Sequence, residues 1–182
     1  MSQKAKLFFS DANPALLLVD IQSDYGQLVT PQFEKEVKGV IKKARIENIP
    51  IIHVRYVACR KKSNHLPYKF QISNGKQTHK TYKRHGKIHM WTKKSGDSVT
   101  TKYTFDAFLG TRLNAMLRNR NIKTVYIAGL ETGVCVLNTV FSAFNRGYRV
   151  RVVEAACIDS NKKRHADTFV NYKNELYLPA AN

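Results

Sequence analysis

Residues 124–146 constrain the fold more than any other stretch of the chain. Thr124-Val125-Tyr126-Ile127-Ala128 is an apolar, partly β-branched run that ends in Gly129-Leu130-Glu131-Thr132-Gly133-Val134-Cys135. An amphipathic run, residues 136–146, follows directly. A strand that turns straight into a helix is the building unit of a parallel sheet, because parallel neighbours need a crossover connection. The same unit sets Cys135 at the carboxyl end of a strand and the amino end of a helix, where backbone N–H groups and the helix dipole favour thiolate. From position alone, Cys135 is either a nucleophile or a small apolar residue packed under the helix.

The remaining elements alternate in the same way. Ala15-Leu16-Leu17-Leu18-Val19-Asp20 is a continuous apolar run ending in a carboxylate, the pattern of a strand buried on both faces. Residues 31–48 carry Phe33, Val37, Val40, Ile41 and Ala44 at helical spacing, and 49–54 read as the next strand. The spacing then predicts strand 98–102, helix 105–120, strand 123–129, helix 134–145, strand 148–153 and helix 161–172. This order indicates an α/β protein: a doubly wound, mostly parallel sheet with helices on both faces, in three layers.

A length of 182 residues suits one domain, 1–182. No apolar run approaches the roughly 18 residues that cross a bilayer, so no membrane partner is expected. Within residues 1–10 only Leu7-Phe8-Phe9 is apolar, shorter than the core of an export signal. Cys59, Cys135 and Cys157 form an odd, sparse set that suits reduced thiols and a cytoplasmic location.

The net charge of +18 is concentrated. Residues 55–102 hold thirteen Lys and Arg against one acid, Asp97, a local +12. His53, His65, His79, His85 and His89 lie in or beside that stretch. Residues 56–97 therefore read as a basic insertion or lid, too long for an ordinary loop. It is a solvated insertion, an anion-attracting rim over a site, or a nucleic-acid footprint. Tyr68, Phe70, Tyr82 and Trp91 lie there without a recognisable nucleic-acid-binding pattern, which makes nucleic acid the less favoured partner.

In a doubly wound sheet the carboxyl ends of neighbouring strands converge on one crevice. Asp20, Lys102 and Cys135 each fall at such an end. Singly they read as a cap, a surface lysine and a packing residue; together they favour a site.

Three stretches carry a family resemblance: Ala15 through Gln22; Lys102-Tyr103-Thr104-Phe105-Asp106-Ala107-Phe108-Leu109-Gly110-Thr111; and Gly129 through Val136 with Thr139 and Ala143-Phe144-Asn145-Arg146-Gly147-Tyr148-Arg149-Val150. With these the chain resembles the isochorismatase-like cysteine hydrolases, the superfamily of nicotinamidases, N-carbamoylsarcosine amidases and ureidoacrylate or biuret hydrolases. The resemblance implies a Rossmann-like hydrolase fold and an Asp-Lys-Cys triad on Asp20, Lys102 and Cys135. It further implies a cis peptide between Leu130 and Glu131, an oxyanion hole on the Glu131 and Cys135 amides, and Tyr25 against the substrate. The expected chemistry is cleavage of a small-molecule C–N amide or ureido bond through a cysteine thioester, without cofactor, in a homo-oligomer. Arg55, with Lys93 and Lys94, would draw in an anionic substrate.

Two departures bear on the substrate. Nicotinamidases carry an Asp-x-His…His metal site after the second strand; Ile52-His53-Val54-Arg55-Tyr56 has no adjacent carboxylate, so no metal is expected and nicotinamide is disfavoured. Ala155 stands where many relatives have an aspartate, with Glu154 one residue away. True isochorismatases cleave a vinyl ether and lack the cysteine. An ether hydrolase, and a basic nucleic-acid-binding protein on a hydrolase scaffold, remain the alternative readings.

Overall fold

β1 (Pro14–Val19) runs through the middle of the molecule, with Ala15 to Val19 all buried. The computed structural model describes residues 8–57, 72–73, 76–77, 87–89, 91–172 and 178–179. α1 (Pro31–Ile46) follows a 3-10 stretch, Ser23–Leu28, that is kinked at Tyr25. Its start is set by Thr30, whose side chain accepts from the Phe33 amide at 3.1 Å, and by Pro31 in the first turn. Next come β2 (Ile51–Tyr56), a two-residue hairpin pair β3 (Ile72–Ser73) and β4 (Lys76–Gln77), and β5 (Ser98–Lys102). α2 (Leu113–Arg118), β6 (Thr124–Leu130), α3 (Leu137–Phe144), β7 (Arg149–Ile158), α4 (Lys162–Tyr172) and β8 (Leu178–Pro179) complete the chain.

The main sheet has the order β5-β2-β1-β6-β7-β8, and every neighbouring pair in it is parallel. Successive strands step outward one way from β1 through β2 to β5, and the other way from β6 to β8. The reversal lies between β1 and β6, whose carboxyl ends border the crevice of such a sheet. Strand side chains alternate between two cores. Leu17, Val19, Ile52, Val54, Val125 and Ile127 meet α2, α3 and α4 through Leu113, Leu117, Val140, Ala143 and Phe169. Leu16, Leu18, Tyr126 and Ala128 meet Phe33, Val37, Val40, Ile41 and Ala44 of α1 on the other face. These are the expected three layers. Among the described residues no helix is long and apolar enough to cross a membrane.

At Gly129, β6 lies against the backbone of β1. The Gly129 φ is +134°, and a Cβ there would fall 2.0 Å from the Val19 carbonyl oxygen, so only glycine fits.

Three predicted elements need correction. Helix 105–120 is only Leu113–Arg118. Upstream, side chains capture the backbone: the Phe108 amide donates to Asp106 Oδ1 at 2.7 Å and the Leu113 amide to Thr111 Oγ1 at 3.1 Å, while Gly110 turns with φ +66°. The helix expected over 134–145 begins as a π turn, Thr132–Val136, closed by the Val136 amide on the Glu131 carbonyl at 3.1 Å. The strand read as 148–153 continues to Ile158. Its pairing jumps from Ile127↔Val152 to Gly129↔Cys157, which leaves Glu154 and Ala155 exposed on the irregular stretch. Cys157 is buried in the core.

Candidate active site

Asp20 leaves β1 with φ +56°, a left-handed conformation that Asp tolerates better than most residues. Its amide donates to the Val54 carbonyl at 2.8 Å, fixing it between β1 and β2. Lys102 closes β5, two strands away. Its Nζ lies 2.8 Å from Asp20 Oδ2, donates to the Phe105 carbonyl at 3.2 Å and sits 5.6 Å from the centre of the Tyr56 ring. Lys102 is 0% and Asp20 1% exposed, so the pair is cut off from bulk water. Gln22 ties down the neighbouring backbone: its Oε1 accepts from the Tyr56 amide at 2.6 Å and its Nε2 donates to the Tyr56 carbonyl at 3.1 Å.

Cys135 sits in the π turn, its carbonyl accepting from Thr139 Oγ1 at 2.7 Å. Its thiol shares the field of both charged groups. Burial pushes the thiol up to about 12, the Asp20 carboxylate adds to that, and Lys102 opposes it. Burial and the neighbouring carboxylate thus oppose the thiolate that the helix start favours. Burial also raises the Asp20 carboxyl, against the pull of Lys102 and Cys135. For Lys102, burial works downward, but the charges of Asp20 and Cys135 prevail and hold it raised, as ammonium. Asp20 Oδ1 is buried and accepts no conventional hydrogen bond from any described residue. The arrangement combines a neutral thiol, a carboxylate with raised proton affinity and a fixed ammonium.

The Leu130–Glu131 peptide is cis, as the resemblance implies. In the turn after it, the Glu131 carbonyl accepts from the Val134 and Val136 amides, both at 3.1 Å. A group of residues that sequence reading does not single out braces the turn from behind. The Gly133 amide donates to Asp159 Oδ2 at 2.9 Å, and Arg164 clasps Asp159 through Nε (3.1 and 3.0 Å) and Nη2 (2.6 Å). Arg164 Nη2 also reaches Glu131 Oε2, and Thr132 Oγ1 meets His165 Nδ1 at 2.8 Å. Burial works to raise the Asp159 carboxyl, but Arg164 and the Asn161 and Gly133 amides hold it below its ordinary range. The available signal was Asp159 itself, an acid at the carboxyl end of a strong strand next to β6.

Tyr25, half-buried in the 3-10 stretch, has its hydroxyl pKa raised first by burial and then by the charges of Asp20 and Cys135. Arg55 Nε donates to Thr101 Oγ1, next to Lys102, at 2.8 Å. His53 finds a carboxylate 44 residues along the chain: its Nε2 lies 3.1 Å from Asp97 Oδ2, which also accepts from Arg45 Nη2 at 3.0 Å. Burial lowers the His53 pKa despite Asp97. Among the described residues no group of three or more His, Cys, Asp or Glu is arranged to hold a metal ion. Lys93 and Lys94 are exposed. Most of the basic insertion or lid, with Cys59, lies outside the described residues.

Fold and site together define a doubly wound α/β protein with a thiol, a carboxylate and an ammonium gathered where the strand order reverses. The chain belongs to the isochorismatase family: the profile of the Isochorismatase domain matches residues 14–178. It is 28% identical over 149 residues to YddQ, an uncharacterized isochorismatase family protein of Bacillus subtilis, covering 79% of this chain and 76% of that one. An uncharacterized isochorismatase family protein of the same organism, PncA, is 36% identical over 75 residues, so the match spans only 41% of each chain. Among solved structures, N-carbamoylsarcosine amidase from Thermoplasma acidophilum superposes with a TM-score of 0.74 at 26% identity, over 93% of this chain and 98% of that one.

Proposed function

We propose that the protein is a cysteine-dependent amidohydrolase that cleaves a C–N amide or ureido bond of a small molecule. The observation that carries this reading is the buried Lys102–Asp20 pair, 2.8 Å apart, in the field of the Cys135 thiol. The likeness to an amidase over nearly the whole chain supports the same bond type.

The steps follow from the protonation states. Because the thiol rests neutral, Asp20 takes the Sγ proton as sulfur attacks the carbonyl carbon. The C=O π pair moves to oxygen, and the Glu131 and Cys135 amides receive that oxyanion, each donor worth about 3 kcal/mol. Collapse breaks the C–N bond, and Asp20 returns its proton to the departing nitrogen, releasing ammonia or an amine. Water then gives a proton to Asp20 and adds to the thioester. Expulsion of sulfur, which recovers the proton, yields the acid. Lys102 remains an ammonium throughout and holds the carboxylate in place, while Tyr25 forms a wall of the pocket.

A chain of net charge +18 favours an anionic substrate, such as a carbamoyl or ureido acid. The deciding experiment is ammonia release across paired neutral and anionic amides and ureido compounds, with Cys135→Ala as control. The expected result is turnover of at least one member, faster for the anionic partner of each pair, and none by the folded alanine variant. Full turnover by Cys135→Ala, or hydrolysis confined to ethers, overturns the assignment.

A further inference from the structure

Both amides assigned to the oxyanion lie in a turn with little regular structure of its own. The Glu131 carbonyl gathers two amides, α3 reaches back to the Val134 and Cys135 carbonyls through Asn138 Nδ2 and Thr139 Oγ1, and the side-chain grip on residues 131–133 comes from the chain that follows β7. Asp159 accepts from the Gly133 amide at 2.9 Å, and its buried carboxylate is itself held by Arg164. The same guanidinium reaches the Glu131 side chain, so one residue of α4 is tied to the turn at Glu131 and, through Asp159, at Gly133. The approach is close: a Cβ on Gly133 would fall 2.5 Å from Arg164 Cγ, which means the arginine stem lies flat against the Gly133 backbone. Thr132, between these two points, is fixed by His165 at 2.8 Å. None of these bonds involves Asp20, Lys102 or the thiol.

We propose that Arg164 is a positioning residue for the oxyanion donors: acting through Asp159 and Glu131, it sets the direction of the Glu131 and Cys135 amides without touching substrate. This rests on the amidohydrolase reading above. An oxyanion donor is useful only when it points to where charge develops, so a turn that relaxes slightly loses transition-state stabilisation while substrate still binds.

Arg164→Gln and Arg164→Lys test it. The first is expected to lower kcat for amide hydrolysis about 30- to 100-fold with KM changed less than about threefold. The lysine variant, which keeps a charge but not the planar fork, should recover part of the loss. Alkylation of Cys135 by iodoacetamide separates positioning from general damage, because sulfur there displaces iodide from carbon and no oxyanion forms. Its rate should stay within about threefold of the unsubstituted protein. Hydrogen exchange of the 132–136 amides, which needs no substrate, should quicken in Arg164→Gln. Unchanged kcat, or alkylation falling in step with hydrolysis, overturns the proposal. If the unsubstituted protein hydrolyses nothing while exchange still quickens, the brace stands and the amidohydrolase reading fails with its catalytic role.

Discussion

The Lys102 ammonium lies 2.8 Å from the Asp20 carboxylate, and neither residue is more than 1% exposed. The pair joins the two ends of one half of the sheet, since β5 ends in Lys102 and β1 in Val19, immediately before Asp20. Taking two charges out of water costs several kcal/mol for each ion, which their attraction only partly offsets. Such a pair is weak evidence for stability and better evidence for chemistry, particularly when the Cys135 thiol acts on the same carboxylate.

Breaking this pair from one side should therefore hurt more than removing it. Lys102→Met leaves a carboxylate buried alone and is expected to destabilise by about 3–5 kcal/mol. The double variant Asp20→Asn with Lys102→Met should be more stable than Lys102→Met alone. Urea midpoints of the two singles and the double decide this. Strictly additive losses would mean that the two groups do not interact in solution.

Much of this site could be read before any coordinates. β1 and β6 are buried on both faces, so Leu16-Leu17-Leu18-Val19 and Val125-Tyr126-Ile127-Ala128 stand out as continuous apolar runs. Parallel pairing then brings their carboxyl ends together. The 105–120 error has a local cause: Ala107, Phe108, Leu113 and Leu117 are all buried and helically spaced, but Asp106 and Thr111 offer the backbone other partners. The Asp159–Arg164–Glu131 brace was hidden because its charges are spread over 33 residues of a chain rich in Lys and Arg, where one more arginine reads as solvated surface. Position reveals the helix end at Cys135 but not the burial and the nearby carboxylate that raise its thiol.

Gly129→Ala tests the close approach of the two central strands. A methyl group 2.0 Å from the Val19 oxygen cannot be accommodated by rotating a side chain, since the obstacle is backbone. The φ of +134° adds strain for any residue with a Cβ. A loss above about 3 kcal/mol is expected, with hydrolysis falling too, because Val19 precedes Asp20. Thermal melting and soluble yield measure it; a melting temperature within a few degrees of the unsubstituted protein would show that β1 and β6 are further apart.

Acid stability should depend on Asp11, just before β1, where it packs against β6 and β7. Its carboxylate accepts from Tyr126 at 2.6 Å, from Arg149 at 3.0 Å and from Arg151 at 2.9 and 3.0 Å. These partners, Arg151 foremost, hold its pKa well below the ordinary value of about 3.9 against the upward push of burial. A depressed folded pKa means the contribution is complete above the unfolded value and is lost as pH falls through the folded one. Unfolding free energy should thus drop between about pH 4 and pH 2. Asp11→Asn should be less stable at neutral pH and show a shallower drop over that window.

The state of the Cys135 thiol makes the sharpest test of how the proposed chemistry begins. A free cysteine titrates near 8.5, so its alkylation by iodoacetamide levels off above about pH 9.5. With the Cys135 thiol held at about 12 by burial and by Asp20, its alkylation rate should still be rising between pH 9 and pH 10.5. Asp20→Asn should move that profile to lower pH, because the variant removes a negative charge that opposes ionisation while keeping Lys102, which favours it. Hydrolysis should respond in the opposite sense. The carboxylate that discourages free thiolate is the same group that accepts the proton at the moment of attack, so Asp20→Asn should react with iodoacetamide more readily at neutral pH and yet lose turnover. Mass spectrometry of the Cys135 peptide, read beside ammonia release, separates the two effects. A plateau below pH 8 in the unsubstituted protein would mean a resting thiolate, and proton transfer to Asp20 would no longer be needed for the first step.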